Sequence, residues 1–76
     1  MIPLSLSPQG TVMTIKSVGG KPEIKRHLES LGFSCGSQVM VTSVLNGNVI
    51  VKIKESRIAI SGEMARKIMV GEGDGL

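Results

Sequence analysis

The sequence predicts a mainly β fold: a small barrel of about five strands, with one inserted α-helix at about residues 22–31 and a short helical turn at about 61–66. Three observations predict it. Apolar residues alternate with period two on both sides of an Asn46-Gly47 pair, the pattern of a hairpin. The period becomes helical between Ile24 and Leu31. The chain has 76 residues, 41% of them hydrophobic and 20% charged, which is globular composition with material for one core only.

Taken in order, Pro3 and Pro8 make residues 1–9 extended, with Leu4 and Leu6 pinning one face. A strand follows Gly10, with Thr11, Met13 and Ile15 facing one way and Val12, Thr14 and Lys16 the other. Gly19-Gly20 ends it. Pro22 suits the first helical position, where its missing N–H is not needed, and Glu23 places a negative charge at the positive end of the helix dipole. Ile24, Leu28 and Leu31 form one apolar stripe, with Lys25, Arg26 and Glu29 on the other side. Gly32 stands where a left-handed residue closes a helix, and Phe33 is placed to fold back on Leu28.

After Gly36, Val39 and Val41 point inward, Asn46-Gly47 makes a type I′ turn, and Val49, Val51 and Ile53 return inward. Glu55-Ser56 is the expected next connection, and residues 57–60 a third strand of the meander. Ser61 can cap a single helical turn, with Glu63 near its start, and Ile68 and Val70 form the last strand. The domain is expected to span 1–70 and the glycine-rich residues 71–76 to be a flexible tail. Closing such short strands into a barrel protects their edges, and an SH3-like barrel accounts for this order more economically than an OB-fold, whose helix comes later.

The same residues exclude several function classes. Apolar runs stop at three residues, too short for a membrane helix, and MIPLSLSPQG lacks the basic and apolar regions of a secretory signal. Cys35 is the single cysteine, so no intrachain disulfide forms. A cytoplasmic location is the expectation. The net charge of +3 is spread along the chain, and Phe33 is the one aromatic residue, which leaves no stacking platform for nucleic acid. No phosphate loop occurs, and Gly19-Gly20-Lys21 is too short to be one. No catalytic residue is expected. His27 and Cys35 could approach each other, but a core this small has little room for a cleft with oxyanion donors, and Cys35 reads as a small, partly buried filler.

The metal candidates are Glu23 and His27, at i and i+4 on one helix side. Two ligands are an incomplete site, to which Cys35, Glu72 or Asp74 would have to add a third, so the expectation is a surface Glu–His pair and no cofactor, with Fe(II) or another divalent transition metal as the alternative. The expected partner surface is Met40, Val44, Leu45 and Ile50, taken to lie opposite the inward-facing set.

From Leu4 to Val70 the chain resembles the FeoA family, small cytosolic accessory proteins of bacterial ferrous iron uptake. The resemblance is carried by PLSL at 3–6, Gly10, Met13-x-Ile15, His27-Leu28-x-x-Leu31-Gly32-Phe33 with Gly36, Val39 and Val41, Asn46-Gly47, the strand 49–53, and Ile58-Ala59-Ile60 followed by Glu63, Ala65, Ile68 and Val70. His27 stands where an Arg is frequent, Gly47-Asn48 where Gly-Pro is common, and Ile60-Ser61 for a usual Leu-Arg. The resemblance implies an SH3-like barrel working through contact with FeoB, the membrane iron permease with a cytosolic G-protein domain. It assigns no catalytic residues. Direct Fe(II) sensing or carriage is the competing function, and a nucleic-acid-binding barrel a more distant one.

Overall fold

Three local signals in the chain set its topology, and each forms as its residues require. In the computed structural model, which describes residues 1–72, Asn46 and Gly47 both take positive φ (51° and 79°) and join β3 (Gln38–Leu45) to β4 (Asn48–Ile53). Helix α1 (Pro22–Ser30) has Pro22 in its first turn and ends in a Schellman motif. The Phe33 N–H donates to the Leu28 carbonyl and the Gly32 N–H to that of Glu29, each at 3.0 Å, with Gly32 at φ 105°. Leu28 and Phe33 are both fully buried by the contact this geometry brings about. Ser61 caps α2 (Gly62–Lys67), its Oγ accepting from the Met64 N–H at 3.2 Å.

The remaining elements are β1 (Ile2–Pro3), a 3-10 turn (Leu4–Leu6), β2 (Val12–Val18), β5 (Ser56–Ser61) and β6 (Ile68–Glu72). The six strands form one antiparallel sheet in the order β1-β6-β2-β3-β4-β5. Helix α2 packs on the 3-10 turn and touches β4 and β5 on one side and β1 and β6 on the other, bridging the two sheet edges. Helix α1 is an excursion between β2 and β3. Its base is tied by two 2.8 Å bonds, Ile15 N–H to the Ser37 carbonyl and Gly36 N–H to the Ile15 carbonyl. This is the SH3-like barrel that the element order predicts, with a two-residue sixth strand added at the N-terminus.

The interior is aliphatic. Ile15, Val39, Val51, Ile53, Ile68 and Val70 meet Leu4, Leu28 and Phe33 in one cluster, with Ile24, Leu31 and Met64 packed against it. Burying each such side chain contributes about 1.5–3 kcal/mol.

Five details differ from the sequence expectations. Leu4 is fully buried but Leu6 is 69% exposed: the 3-10 turn has three residues per turn, so neighbours two apart do not share a face as they would in a strand. The β4–β5 turn is Lys54-Glu55, since Ile53 pairs with Ser56. Two β-bulges, at Lys16 against β6 and at Thr42 against β4, break the period-two alternation. Cys35 is exposed and not a filler. Gly71 and Glu72 belong to β6, not to a tail; residues 73–76 lie outside the described residues.

Candidate functional site

The buried polar side chains among the described residues are those of Ser7 and Thr14, neither an acid nor a base. The chemistry-bearing groups are therefore on the outside, on α1 and on the outer face of the β2–β5 sheet.

On α1, Glu23 and His27 are exposed one turn apart. Ser30 Oγ donates to the His27 carbonyl at 2.6 Å, which ties the end of the helix and leaves the imidazole out of that bond. Cys35 Sγ donates to the Lys16 carbonyl at 3.4 Å. Among the described residues no group of three or more His, Cys, Asp or Glu side chains comes together, so neither Cys35 nor Glu72 adds a third ligand to Glu23 and His27. Asp74 lies outside the described residues. The pair can offer an ion two protein ligands, with water or a partner completing the shell.

On the sheet, strand register sets the outward rows. Met40 lies between Val12 and Lys52, and Lys52 is opposite Arg57. Beyond the Thr42 bulge the next outward row is Ser43, Ile50 and Ala59, and the last is Leu45, Asn48 and Ser61. Thr42 Oγ1 donates to the Ile50 carbonyl at 3.1 Å and fixes the bulge. Met40, Leu45 and Ile50 thus face outward, with Leu45 exposed and Met40 and Ile50 half-buried. Val44 does not belong with them. The bulge shifts its phase, so that it pairs with buried Val49, itself paired with buried Ile60. Val44 is exposed only because it ends the inward row at the barrel's rim.

An open groove of about 510 Å³ runs over this face. Val12, Val39 and Met40 line it with Gly36, Ser37, Gln38, Lys52 and Lys54. Val12 is the member that periodicity could have found, since it alternates outward from Met13. The Lys54 rim could not be read without knowing where the turn falls. A smaller recess of about 240 Å³ lies between the N-terminal segment and β6, lined by Met1, Ile2, Leu6, Pro8, Met13 and the end of β6.

Fold and surface together define a small SH3-like barrel with a closed aliphatic interior and its charged groups outside. The FeoA domain family model matches residues 2–72. An Fe(2+) transport protein A of Methanocaldococcus jannaschii is 34% identical over 74 residues, covering 97% of this chain and 90% of that protein. Among solved structures, the crystal structure of an iron uptake regulatory protein, FeoA, superposes with a TM-score of 0.84 at 26% identity, over 92% of this chain and 93% of that one. A Stenotrophomonas maltophilia FeoA crystallised with zinc, described as an SH3-domain protein, gives 0.82 at 24% identity over 97% and 94%, a likeness of fold. The chain belongs to the FeoA family.

Proposed function

We propose that this protein is an accessory of ferrous iron uptake that acts by binding the cytosolic side of a FeoB-type permease. Membership of the FeoA family carries the role in ferrous iron transport; the mode of action is our reading. The observation that carries it is the division of the molecule. The core is sealed and apolar, and what distinguishes one face from another is on the outside: outward-facing Met40, Leu45 and Ile50 on the sheet, with cations beside them. A barrel of this kind has a surface to offer and no acid–base pair inside to catalyse with, so we read it as a non-enzyme. No helix among the described residues is long and apolar enough to cross a membrane, which fits a cytoplasmic protein that meets the membrane through its partner. Phe33 is buried, so the barrel has no aromatic platform for nucleic acid, and we place none among its partners. The test is co-purification with the permease's cytosolic region in the nucleotide-free, GDP and GTP states. Retention in at least one state is expected; its absence in all three contradicts the reading.

A second reading, direct Fe(II) binding, rests on the exposed Glu23–His27 pair. Anaerobic calorimetry decides it. Heat from wild type that His27→Ala abolishes supports a site, and identical traces remove it.

A further inference from the structure

We infer that the groove on the outer face of β2–β4 is a docking site for an acidic, extended protein segment with an apolar side chain. The inference rests on the reading that this protein works through protein contact, and it specifies the surface and the chemistry of what binds there.

Three independent features point the same way. The first is composition. Val12 and Met40, opposite each other across β2 and β3, give the groove an apolar floor, while Lys52 and Lys54 line its rim with Gln38, and no carboxylate lines it. Val12 is 52% exposed, a large apolar side chain left to solvent in the groove that Lys52 and Lys54 also line.

The second is an uncompensated like-charge pair. Lys52 on β4 lies directly opposite Arg57 on β5. Like charges facing across antiparallel strands are destabilising. None of these three cations has an ion-pair partner among the described residues, not even Glu55 beside Lys54 in the turn. The fold thus carries a concentration of positive charge that it does nothing to relieve, and an anionic ligand would relieve it.

The third is backbone conformation. Lys54 has φ 55° in a two-residue hairpin turn, a place for Gly or Asn. A long cationic side chain held there at a conformational cost stands at the groove's rim, where a binding role accounts for the cost.

The occupant's class follows. Lys52 and the turn residue Lys54 line one side of the groove two residues apart, matching carboxylates on an extended peptide, and the Val12–Met40 floor takes a side chain that a phosphate backbone lacks. Nucleic acid would also call for stacking rings, and the chain has no Trp or Tyr and its one Phe, Phe33, is buried.

The test uses the intact chain and fluorescence anisotropy with a fluorescein-labelled peptide of alternating Glu and Leu, a Lys-Leu peptide of equal length, and labelled oligo(dT). The Glu-Leu peptide is expected to bind at least roughly tenfold tighter than the Lys-Leu peptide, and to weaken severalfold between about 50 and 500 mM NaCl. Met40→Ser and Lys52→Glu should each weaken it severalfold. Lys52→Glu is the decisive variant, because it places opposite charges across β4 and β5 and should leave the fold at least as stable while binding falls. The proposal is overturned if both peptides bind alike, if the variants bind as wild type does, or if oligo(dT) binds more tightly than the acidic peptide. The permease is absent from this assay, so a failed pull-down and a failed groove are told apart.

Discussion

The backbone N–H of Gly62 donates to the carbonyl of Gly47 at 2.9 Å. The bond latches the tip of the β3–β4 hairpin to the first residue of α2, the helix that bridges the sheet's two edges. One hydrogen bond thus joins a type I′ turn to the element that closes the barrel. A Cβ on Gly62 would stand 3.0 Å from the Gly47 oxygen, a backbone atom that cannot swing aside. Gly62→Ala should therefore cost about 1 kcal/mol net, the clash outweighing the helix propensity gained. At Gly71 a Cβ would come 2.9 Å from Lys16 Cε, the far end of a flexible chain. Gly71→Ala should be neutral, or stabilise by up to about 0.5 kcal/mol, since Gly weakens a strand. Urea denaturation of the two variants gives the comparison; equal effects would refute the latch.

The end of α1 depends on φ and not on space. At Gly32 a Cβ would meet only Ile53, at an ordinary 3.7 Å, yet φ is 105°. Gly32→Val should cost about 2 kcal/mol or more, because a β-branched residue resists positive φ and the Schellman bonds would be lost with it. Gly32→Asn should cost distinctly less. Equal losses in thermal denaturation would show that bulk, not backbone, is at fault.

Ser7 supplies the opposite case. Its Oγ is buried with no hydrogen-bond partner among the described residues. A desolvated, unsatisfied hydroxyl costs on the order of 1–3 kcal/mol, so Ser7→Ala should raise stability by about 1 kcal/mol. A fall in the denaturation midpoint would mean that the hydroxyl is paired in solution.

Lys54 sets stability against binding. Lys54→Asn should stabilise the β4–β5 turn by about 0.5 kcal/mol, because the left-handed conformation costs an ordinary side chain about 1 kcal/mol and Asn less. The same change should weaken the acidic peptide severalfold by removing a rim cation. Paired melting and anisotropy measurements check both signs, and a variant improved in both would contradict the role given to Lys54.

Local chemistry made most of the fold legible. Leu28-Gly32-Phe33 wrote its own helix stop, Asn46-Gly47 its turn and Ser61 its cap, because each works through atoms within a few residues. What could not be read was non-local. The bulges at Lys16 and Thr42 exist only relative to a paired strand, and they decide that Val18 is core and Val44 lies on the inward row. Of the site, outward-facing Met40 and Ile50 are legible from alternation, whereas Leu45 shares the phase of inward Val39 and Val41 and faces outward only because of the Thr42 bulge. The groove is not legible, since it needs Val12 from one strand and Lys52 and Lys54 from another, brought together by pairing. The Glu23–His27 pair was visible from helical spacing, and only the fold could show that no third ligand among the described residues joins it.

The central claim is that the exterior acts through protein contact and not by carrying metal. It is tested most directly by uptake of radiolabelled ferrous iron in cells lacking the native gene and complemented with variants. A Glu23→Ala/His27→Ala double variant should restore uptake to the wild-type level, and a Met40→Ser/Lys52→Glu double variant, folded and expressed equally, should leave it near that of the deletion. Uptake lost with the first pair and retained with the second would contradict the account.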